Sequence, residues 1–259
     1  MFTVEQRDAL RDRVLLMARQ DERVLAGAAV GSLAVDGGGD RFSDLDLTFG
    51  IAAHAAVADV LEDWTRTLGD ELEAVCLVDL ERGPTTYRVF LLPDSLQFDL
   101  SMTPAAQFRP AGPRFRLLFG ETAPAGDASG KPPAAGNVFI NTPATAADLF
   151  GWGVIYALHS RACIERGRVW QAEHYVGAVR DHALSLACMR EGRTVVQARG
   201  YDDLSPETLA RFKDTHVGAP APAALRRALA ASVAELMREG AAAHLPHADG
   251  VAGRLGDLT

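Results

Sequence analysis

The fold is decided by two stretches of sequence, VLAGAAVGS at residues 24–32 and SDLDLTFG at residues 43–50. The first is apolar as far as Val30 and then reaches Gly31, as expected of a short buried strand that ends in a turn. In the second, leucine and phenylalanine alternate with polar residues, which predicts a strand with one apolar and one polar face. The residues between the two stretches include three consecutive glycines, so we expect a loop there.

Two carboxylates lie on the polar face of the second predicted strand. Asp44 and Asp46 are two residues apart, so their side chains point to the same side, roughly 6.6 Å apart along the backbone. Carboxylates so placed can hold one divalent cation, or two cations about 3.5–4 Å apart. A third carboxylate is expected on a neighbouring strand, and Asp99 is the best candidate. Its competitors are Asp94, which follows a proline in a turn, and Asp79, near a strand end.

The end of the first strand has the features of a phosphate-binding turn. After Gly31-Ser32 the chain can open a short helical turn, whose free N–H groups and Ser32 hydroxyl could contact phosphate oxygens. Glycine at position 31 would let phosphates approach the backbone closely. Arg41 lies where a cation could reach a phosphate. The Gly37–Gly39 segment lacks the dinucleotide-binding pattern, and we interpret it as a loop beside the site.

The rest of the chain predicts an α+β protein with two domains. Helices are expected at about 4–22 and 53–68, strands at 73–80, 85–92 and 96–102, and a further short strand at 115–119. A proline-rich stretch over 103–143 precedes predicted helices at 145–166, 169–191, 205–214 and 221–241, and the tail from Ala241 has no clear pattern. We therefore predict a mixed-sheet domain with flanking helices over 1–142 and an all-helical domain over 143–259.

The composition of the chain favours some classes of binding partner and some cellular locations over others. The net charge of −8 disfavours nucleic acid, whose phosphates require a basic surface, and suits a cationic small acceptor better. No apolar run is long enough for a membrane span, and the charged N-terminus does not resemble a signal peptide. The three cysteines lack metal-ligand spacing and are interpreted as reduced packing residues. These features favour a cytoplasmic enzyme.

In this sequence a predicted strand is followed by Gly31-Ser32, a spacer, Asp44-x-Asp46 and, later, Asp99. This order resembles the DNA polymerase beta-like nucleotidyltransferase superfamily. Within it, the sequence is most similar to antibiotic nucleotidyltransferases of the lincosamide and aminoglycoside type. A second segment, over residues 166–181, is similar to the helical C-terminal domain of the lincosamide branch.

The resemblance implies a reaction and a set of roles. Asp44, Asp46 and Asp99 would bind two Mg²⁺ ions, and the acid at 99 can also activate the acceptor hydroxyl. Gly31 and Ser32 would hold the triphosphate of an NTP, with ATP the first choice. The acceptor oxygen of a small molecule, an aminoglycoside or lincosamide antibiotic among the candidates, would attack the α-phosphorus and release pyrophosphate.

Several alternatives stay open at this point. Arg180 could contact the γ-phosphate or simply pair with an acid, and Trp152, Trp170 and Tyr175 are expected to pack in the core or between domains. Glu173 is interpreted as a solvated helix carboxylate. The acceptor could instead be a protein, as in toxin–antitoxin partners, or the chain could be a degenerate nucleotide-binding protein. A homodimer is compatible with the sequence.

Overall fold

The structure is a computed structural model that describes residues 2–36, 39–110, 114–124, 145–245 and 248–255. It contains two compact units. The sheet unit comprises residues 2–90 and 98–143, and the helical unit comprises residues 91–97 and 144–259. A mixed sheet in one unit and packed helices in the other confirm the predicted α+β class.

The sheet unit is built on six strands in the order β3-β4-β5-β2-β1-β6. The strands are β1 (Val24–Val30), β2 (Leu45–Ile51), β3 (Val75–Arg82), β4 (Thr85–Leu91), β5 (Gln97–Pro104) and β6 (Phe115–Phe119). Strand β1 is antiparallel to both β2 and β6, whereas β2 is parallel to β5. The centre of the sheet therefore joins the first predicted strand to the strand that carries Asp99.

Two helices belong to the sheet unit. Helix α1 (Val4–Gln20) begins at the predicted capping box, in which Thr3 and Gln6 each accept a hydrogen bond from the other's backbone. Helix α2 (Val57–Leu72) begins four residues later than predicted, because the segment before it forms a turn with a hydrogen bond from Ala55 N to Ala52 O. Its Trp64 packs on Phe49 of β2, with ring centroids 5.2 Å apart.

The beginning of β1 is fixed by a polar cluster. Arg23 donates hydrogen bonds to both carboxylate oxygens of Asp21 and one to Asp63, and Trp64 Nε1 donates to Asp21 at 2.9 Å. The hydrogen bond from Arg23 lowers the pKa of Asp21 to about 2. Because Val24 pairs with Ile51, this cluster lies at the end of the β1–β2 pair that is remote from Asp46.

The helical unit packs three long helices against one another. Its helices are α3 (Ala146–Glu165), α4 (Val169–Arg190), α5 (Pro206–Arg211), α6 (Pro222–Ala242) and α7 (Ala248–Arg254). Glycines allow α3 and α6 to approach closely, since an added Cβ at Gly153 would contact Leu236 and one at Gly240 would contact Phe150. Helix α7 was not expected. No helix in the described ranges is both long and apolar enough to cross a membrane.

The aromatic residues singled out in the helical unit differ in their exposure to solvent. Trp170 is 74% exposed, so it does not pack in the core; it lies in the first turn of α4, whose buried side is formed by other residues. Trp152 and Tyr175 are half-buried and both contact Tyr156. Gly37 and Gly38 of the predicted loop, with residues 111–113 and 125–143 of the proline-rich stretch, lie outside the described residues.

A buried ion network joins three helices of the helical unit. The side chain of Glu239 on α6 is only 1% exposed, and Arg190 of α4 donates to both of its carboxylate oxygens at 2.7 and 3.1 Å. Arg211 of α5 donates to the same carboxylate at 2.8 Å and to Glu235 at 2.9 Å. Two guanidinium groups therefore depend on one buried carboxylate.

We expect Glu239→Ala to lower the free energy of unfolding of the helical unit by about 1–3 kcal/mol, because Arg190 and Arg211 each lose a charged hydrogen-bond partner while keeping Glu191 and Glu235. Chemical denaturation followed by circular dichroism checks this. The control is Glu173→Ala, which removes an exposed carboxylate of α4 and should change the free energy by less than about 0.5 kcal/mol. Equal effects of the two substitutions would show that the network does not stabilise the unit.

Candidate metal and phosphate site

The structure brings the three predicted carboxylates together. Asp46 of β2 and Asp99 of β5 are direct register partners across the parallel strand pair. Asp44 precedes the first residue of β2 and lies on the same side as Asp46. One carboxylate oxygen from each of the three residues lies within 4.8 Å of the others, and all three residues are half-buried.

The alternation of β2 explains why the acids face away from the core. Leu45, Leu47 and Phe49 are at most 1% exposed and form the apolar face of the strand. Side chains alternate along a strand, so Asp44 and Asp46 must lie on the opposite face. A shift of one residue in register would place the carboxylates in the core, and the buried leucines therefore also fix the site.

The carboxylates repel one another. Burial, followed by the charges of Asp44 and Asp99, raises the pKa of Asp46 to about 8. Each of these causes disfavours the ionised form of Asp46. A bound cation would reverse the effect, because it attracts the same charges that now repel each other. Clustered carboxylate oxygens without nitrogen or sulfur ligands suit a hard cation such as Mg²⁺.

Gly31 lies directly against this cluster. It begins the short 3₁₀ turn Gly31–Ala34 that follows β1, and its φ of +68° is in the left-handed region that favours glycine. A Cβ atom at this position would collide with Oδ2 of Asp46. Glycine is therefore required both by the turn and by the position of the carboxylate.

Ser32 supplies a buried polar group at the same turn. Its Oγ atom is shielded from solvent and has no hydrogen-bond partner within the part of the chain that the structure describes. Buried hydroxyl groups are normally paired, so this Oγ atom is suited to form a hydrogen bond with a bound group. Its place, one residue from the glycine that contacts Asp46, fits the sequence-based expectation of a phosphate contact.

The two predicted arginines differ in their surroundings. Arg41 is exposed and stacks on Phe42, with its guanidinium carbon 4.6 Å from the ring centroid. Arg180 belongs to α4 of the helical unit, where it donates two hydrogen bonds of 3.1 Å to Asp181. The structure thus contains the acid pairing that the sequence left open for Arg180. A phosphate contact for either arginine stays a prediction.

Sequence reasoning missed two arginines that hold the loop between β1 and β2. Arg7 of α1 is buried and donates hydrogen bonds to the carbonyl oxygens of Asp40 and Ser43. Arg116 of β6 donates to the carbonyl oxygen of Leu33 at 3.1 Å. A signal for Arg7 did exist: it occupies the buried stripe of α1 together with three apolar residues at helical spacing, Leu10, Val14 and Ala18.

Comparison with protein-family models and with curated proteins gave no match. Among solved structures, the chain is similar to an aminoglycoside 6-adenyltransferase from Bacillus subtilis, with 13% identity and a TM-score of 0.31. The alignment covers 98% of this chain and 92% of that chain. A similarity at this TM-score does not transfer a function from one protein to another.

We expect Gly31→Ala to abolish binding of Mn²⁺, used as a spectroscopic substitute for Mg²⁺, because the new Cβ displaces the Asp46 carboxylate. Gly83→Ala is the matched control: Gly83 also has a positive φ, of +59°, but an added Cβ has no neighbour within 4 Å. Both variants should lose about 1 kcal/mol of stability from backbone strain. Titration followed by electron paramagnetic resonance tests whether only the variant at position 31 loses the ion.

We also expect Asp46→Asn to stabilise the metal-free protein at pH 8, by an amount of the order of 1–3 kcal/mol. The raised pKa means that folded Asp46 keeps its proton between about pH 4 and 8 while the unfolded chain has lost it. Stability from this group is therefore present at low pH and is lost as the pH rises through about 8.

Thermal unfolding in a chelator at pH 5 and pH 8 measures this difference. The variant and the wild type should be close at pH 5 and should separate at pH 8. Asp36→Asn, at a side chain that is 99% exposed, serves as the control and should have little effect at either pH. A wild type that is more stable than Asp46→Asn at pH 8 would contradict the proposed carboxylate repulsion.

Proposed function

We propose that this protein is a metal-dependent nucleotidyltransferase that moves AMP from ATP, or the equivalent group from another NTP, to a hydroxyl of a small molecule. One observation carries the proposal: three carboxylates from the paired strands β2 and β5 and the residue preceding β2 meet beside a glycine–serine turn. The chemistry of phosphoryl-group transfer requires these two parts, a holder for cations and a holder for phosphates.

The donor set fits divalent metal. Asp44, Asp46 and Asp99 offer only carboxylate oxygens. The pKa of Asp46 is raised by burial and then by the charges of Asp44 and Asp99, which a cation would neutralise. These residues would hold Mg²⁺, which when bound neutralises phosphate charge and stabilises the attacking and leaving oxygens. We propose two ions, as the superfamily resemblance implies.

The turn after β1 would hold the triphosphate. Ser32 Oγ, which lacks a partner among the described residues, would donate a hydrogen bond to a phosphate oxygen. Gly31, which has no side chain between the turn and Asp46, leaves room for the phosphate beside the carboxylates. Arg41, exposed and stacked on Phe42, would add a positive charge near the leaving pyrophosphate.

The reaction would be an in-line substitution at the α-phosphorus. The oxygen of the acceptor hydroxyl forms a new bond to phosphorus, and the bond from phosphorus to the bridging oxygen of the β-phosphate breaks. Pyrophosphate leaves with the electron pair of that bond. We propose that Asp99 accepts the proton of the hydroxyl, as the superfamily resemblance implies for the acid at this position.

The charge of the chain bears on the acceptor. A net charge of −8 favours a cationic small molecule over a nucleic acid, and both an aminoglycoside and a lincosamide carry basic amines. Two alternative functions would use the same site. In the first, the acceptor is a protein and the product is a nucleotidylated protein. In the second, the site binds a nucleotide and nothing is transferred.

Pyrophosphate release decides among these functions. With Mg²⁺ and each of four NTPs, we expect release that depends on an aminoglycoside or lincosamide and falls by at least about 100-fold in Asp46→Asn. Asp36→Asn, at an exposed acid of the same loop, should keep the rate. Labelled AMP found on a protein rather than on the antibiotic would favour the protein acceptor. Nucleotide binding without any transfer would favour the degenerate alternative. If the protein shows no nucleotide binding and no turnover, the proposed function is excluded.

A further inference from the structure

The three carboxylates are not held in the same way. Asp46 and Asp99 are paired in the β2–β5 ladder, so the sheet itself fixes their positions. Asp44 lies before Leu45, where the strand begins, and the ladder does not include it. Its position therefore depends on the segment that leads into β2, residues Asp40–Ser43.

This segment is a turn closed by its own hydrogen bonds. Ser43 N donates to Asp40 O at 3.1 Å, Asp40 N donates to Ser43 Oγ at 2.9 Å, and Phe42 N donates to Asp40 Oδ1 at 2.9 Å. These bonds fix the shape of the turn. They do not fix its orientation relative to the sheet, because every one of them lies within residues Asp40–Ser43.

Arg7 supplies a connection between the turn and the rest of the sheet unit. Its Nη1 atom donates to Asp40 O at 2.8 Å and to Ser43 O at 3.1 Å, and the residue is 5% exposed. The Ser43 carbonyl belongs to the peptide bond whose nitrogen is that of Asp44. Because a peptide group is planar, a hydrogen bond that orients this carbonyl also orients the bond that leads to the Cα atom of Asp44.

An arginine at position 7 is energetically less favourable than an apolar residue if the position serves only to pack α1 against the sheet. Burying a guanidinium group is unfavourable unless it is paired, and the ion pair of Arg7 with Asp8 is long, 3.8 Å from Nε to the carboxylate. The other buried positions in the same stripe of α1 are apolar. An arginine can donate from one nitrogen to two carbonyl oxygens, which an apolar residue cannot do.

We propose that Arg7 is a positioning residue, which holds Asp44 in the orientation that lets it bind metal together with Asp46 and Asp99. This inference rests on the proposed function, in which Asp44 is a metal ligand. Arg7 itself contacts neither metal nor substrate and acts through the Ser43–Asp44 peptide. Groups that orient metal ligands typically contribute 10–100-fold to metal affinity.

Titration of the full-length chain with Mn²⁺ alone, followed by electron paramagnetic resonance, tests the inference. Asp44→Asn is the reference for loss of a ligand. We expect Arg7→Met to weaken Mn²⁺ binding at least about 10-fold and Arg7→Lys, which keeps a buried cationic donor, to fall between Arg7→Met and the wild type. Thermal unfolding of each variant in chelator is measured in parallel.

Arg23→Met is the matched control. Arg23 also joins separate elements of the sheet unit, since it donates to Asp21 and to Asp63 of α2, but it lies at the opposite end of the β1–β2 pair. It should lower the melting temperature while the affinity for Mn²⁺ stays within about twofold of the wild type. An equal loss of affinity in Arg23→Met and Arg7→Met would reduce Arg7 to a general stabilising role and would overturn the inference.

A second variant covers the case in which Arg7→Met does not fold. Ser43→Ala removes the hydrogen bond from Asp40 N to Ser43 Oγ and loosens the same turn, so a several-fold loss of Mn²⁺ affinity is expected. Wild-type affinity in both Ser43→Ala and Arg7→Lys would overturn the inference but leave the metal site standing. If the wild type binds no Mn²⁺, or Asp44→Asn binds it equally well, the proposed function and the inference both fail.

Discussion

The parallel pairing of β2 with β5 is the interaction on which the site depends, because it places Asp46 directly opposite Asp99. Like charges opposite each other on neighbouring strands are destabilising, and here burial strengthens the effect. The pairing must therefore be stabilised from the other face of the sheet. The neighbouring register pair, Leu45 and Phe98, is almost completely buried, and Phe98 stacks on Phe90 of β4 with centroids 5.9 Å apart.

The two faces of the central strands thus have opposite roles. The apolar face packs on its surroundings and defines the register, while the polar face holds groups that the fold alone does not favour. Strain and unpaired polar groups commonly concentrate at functional sites, where a ligand completes the interactions. The buried Ser32 hydroxyl and the raised pKa of Asp46 are two such features, in one turn and its neighbouring strand.

The parts that the sequence predicted are those with a local signal. Alternation around Asp44 and Asp46, and apolar neighbours on both sides of Asp99, indicated strands and faces without knowledge of the partner strand. The contact of Arg7 with Ser43 spans 36 residues, and no periodicity within α1 indicates which loop a buried arginine will reach. The exposure of Trp170 could not be predicted for a related reason, because helical spacing does not show which aromatic residue of α4 faces a neighbouring helix.

The long-range hydrogen bonds of Arg7 and Arg116 are made to the loop beside the carboxylate cluster. Arg7 and Arg116 contact the two ends of the loop that joins β1 to β2, where both donate to backbone carbonyl oxygens and Arg116 also pairs with Asp36. An arginine paired directly with Asp46 would lower its pKa, whereas burial and the two neighbouring acids all raise it. At both ends of the loop the fold thus uses backbone carbonyl oxygens as acceptors for arginine, and these contacts do not require a carboxylate of the cluster as a partner.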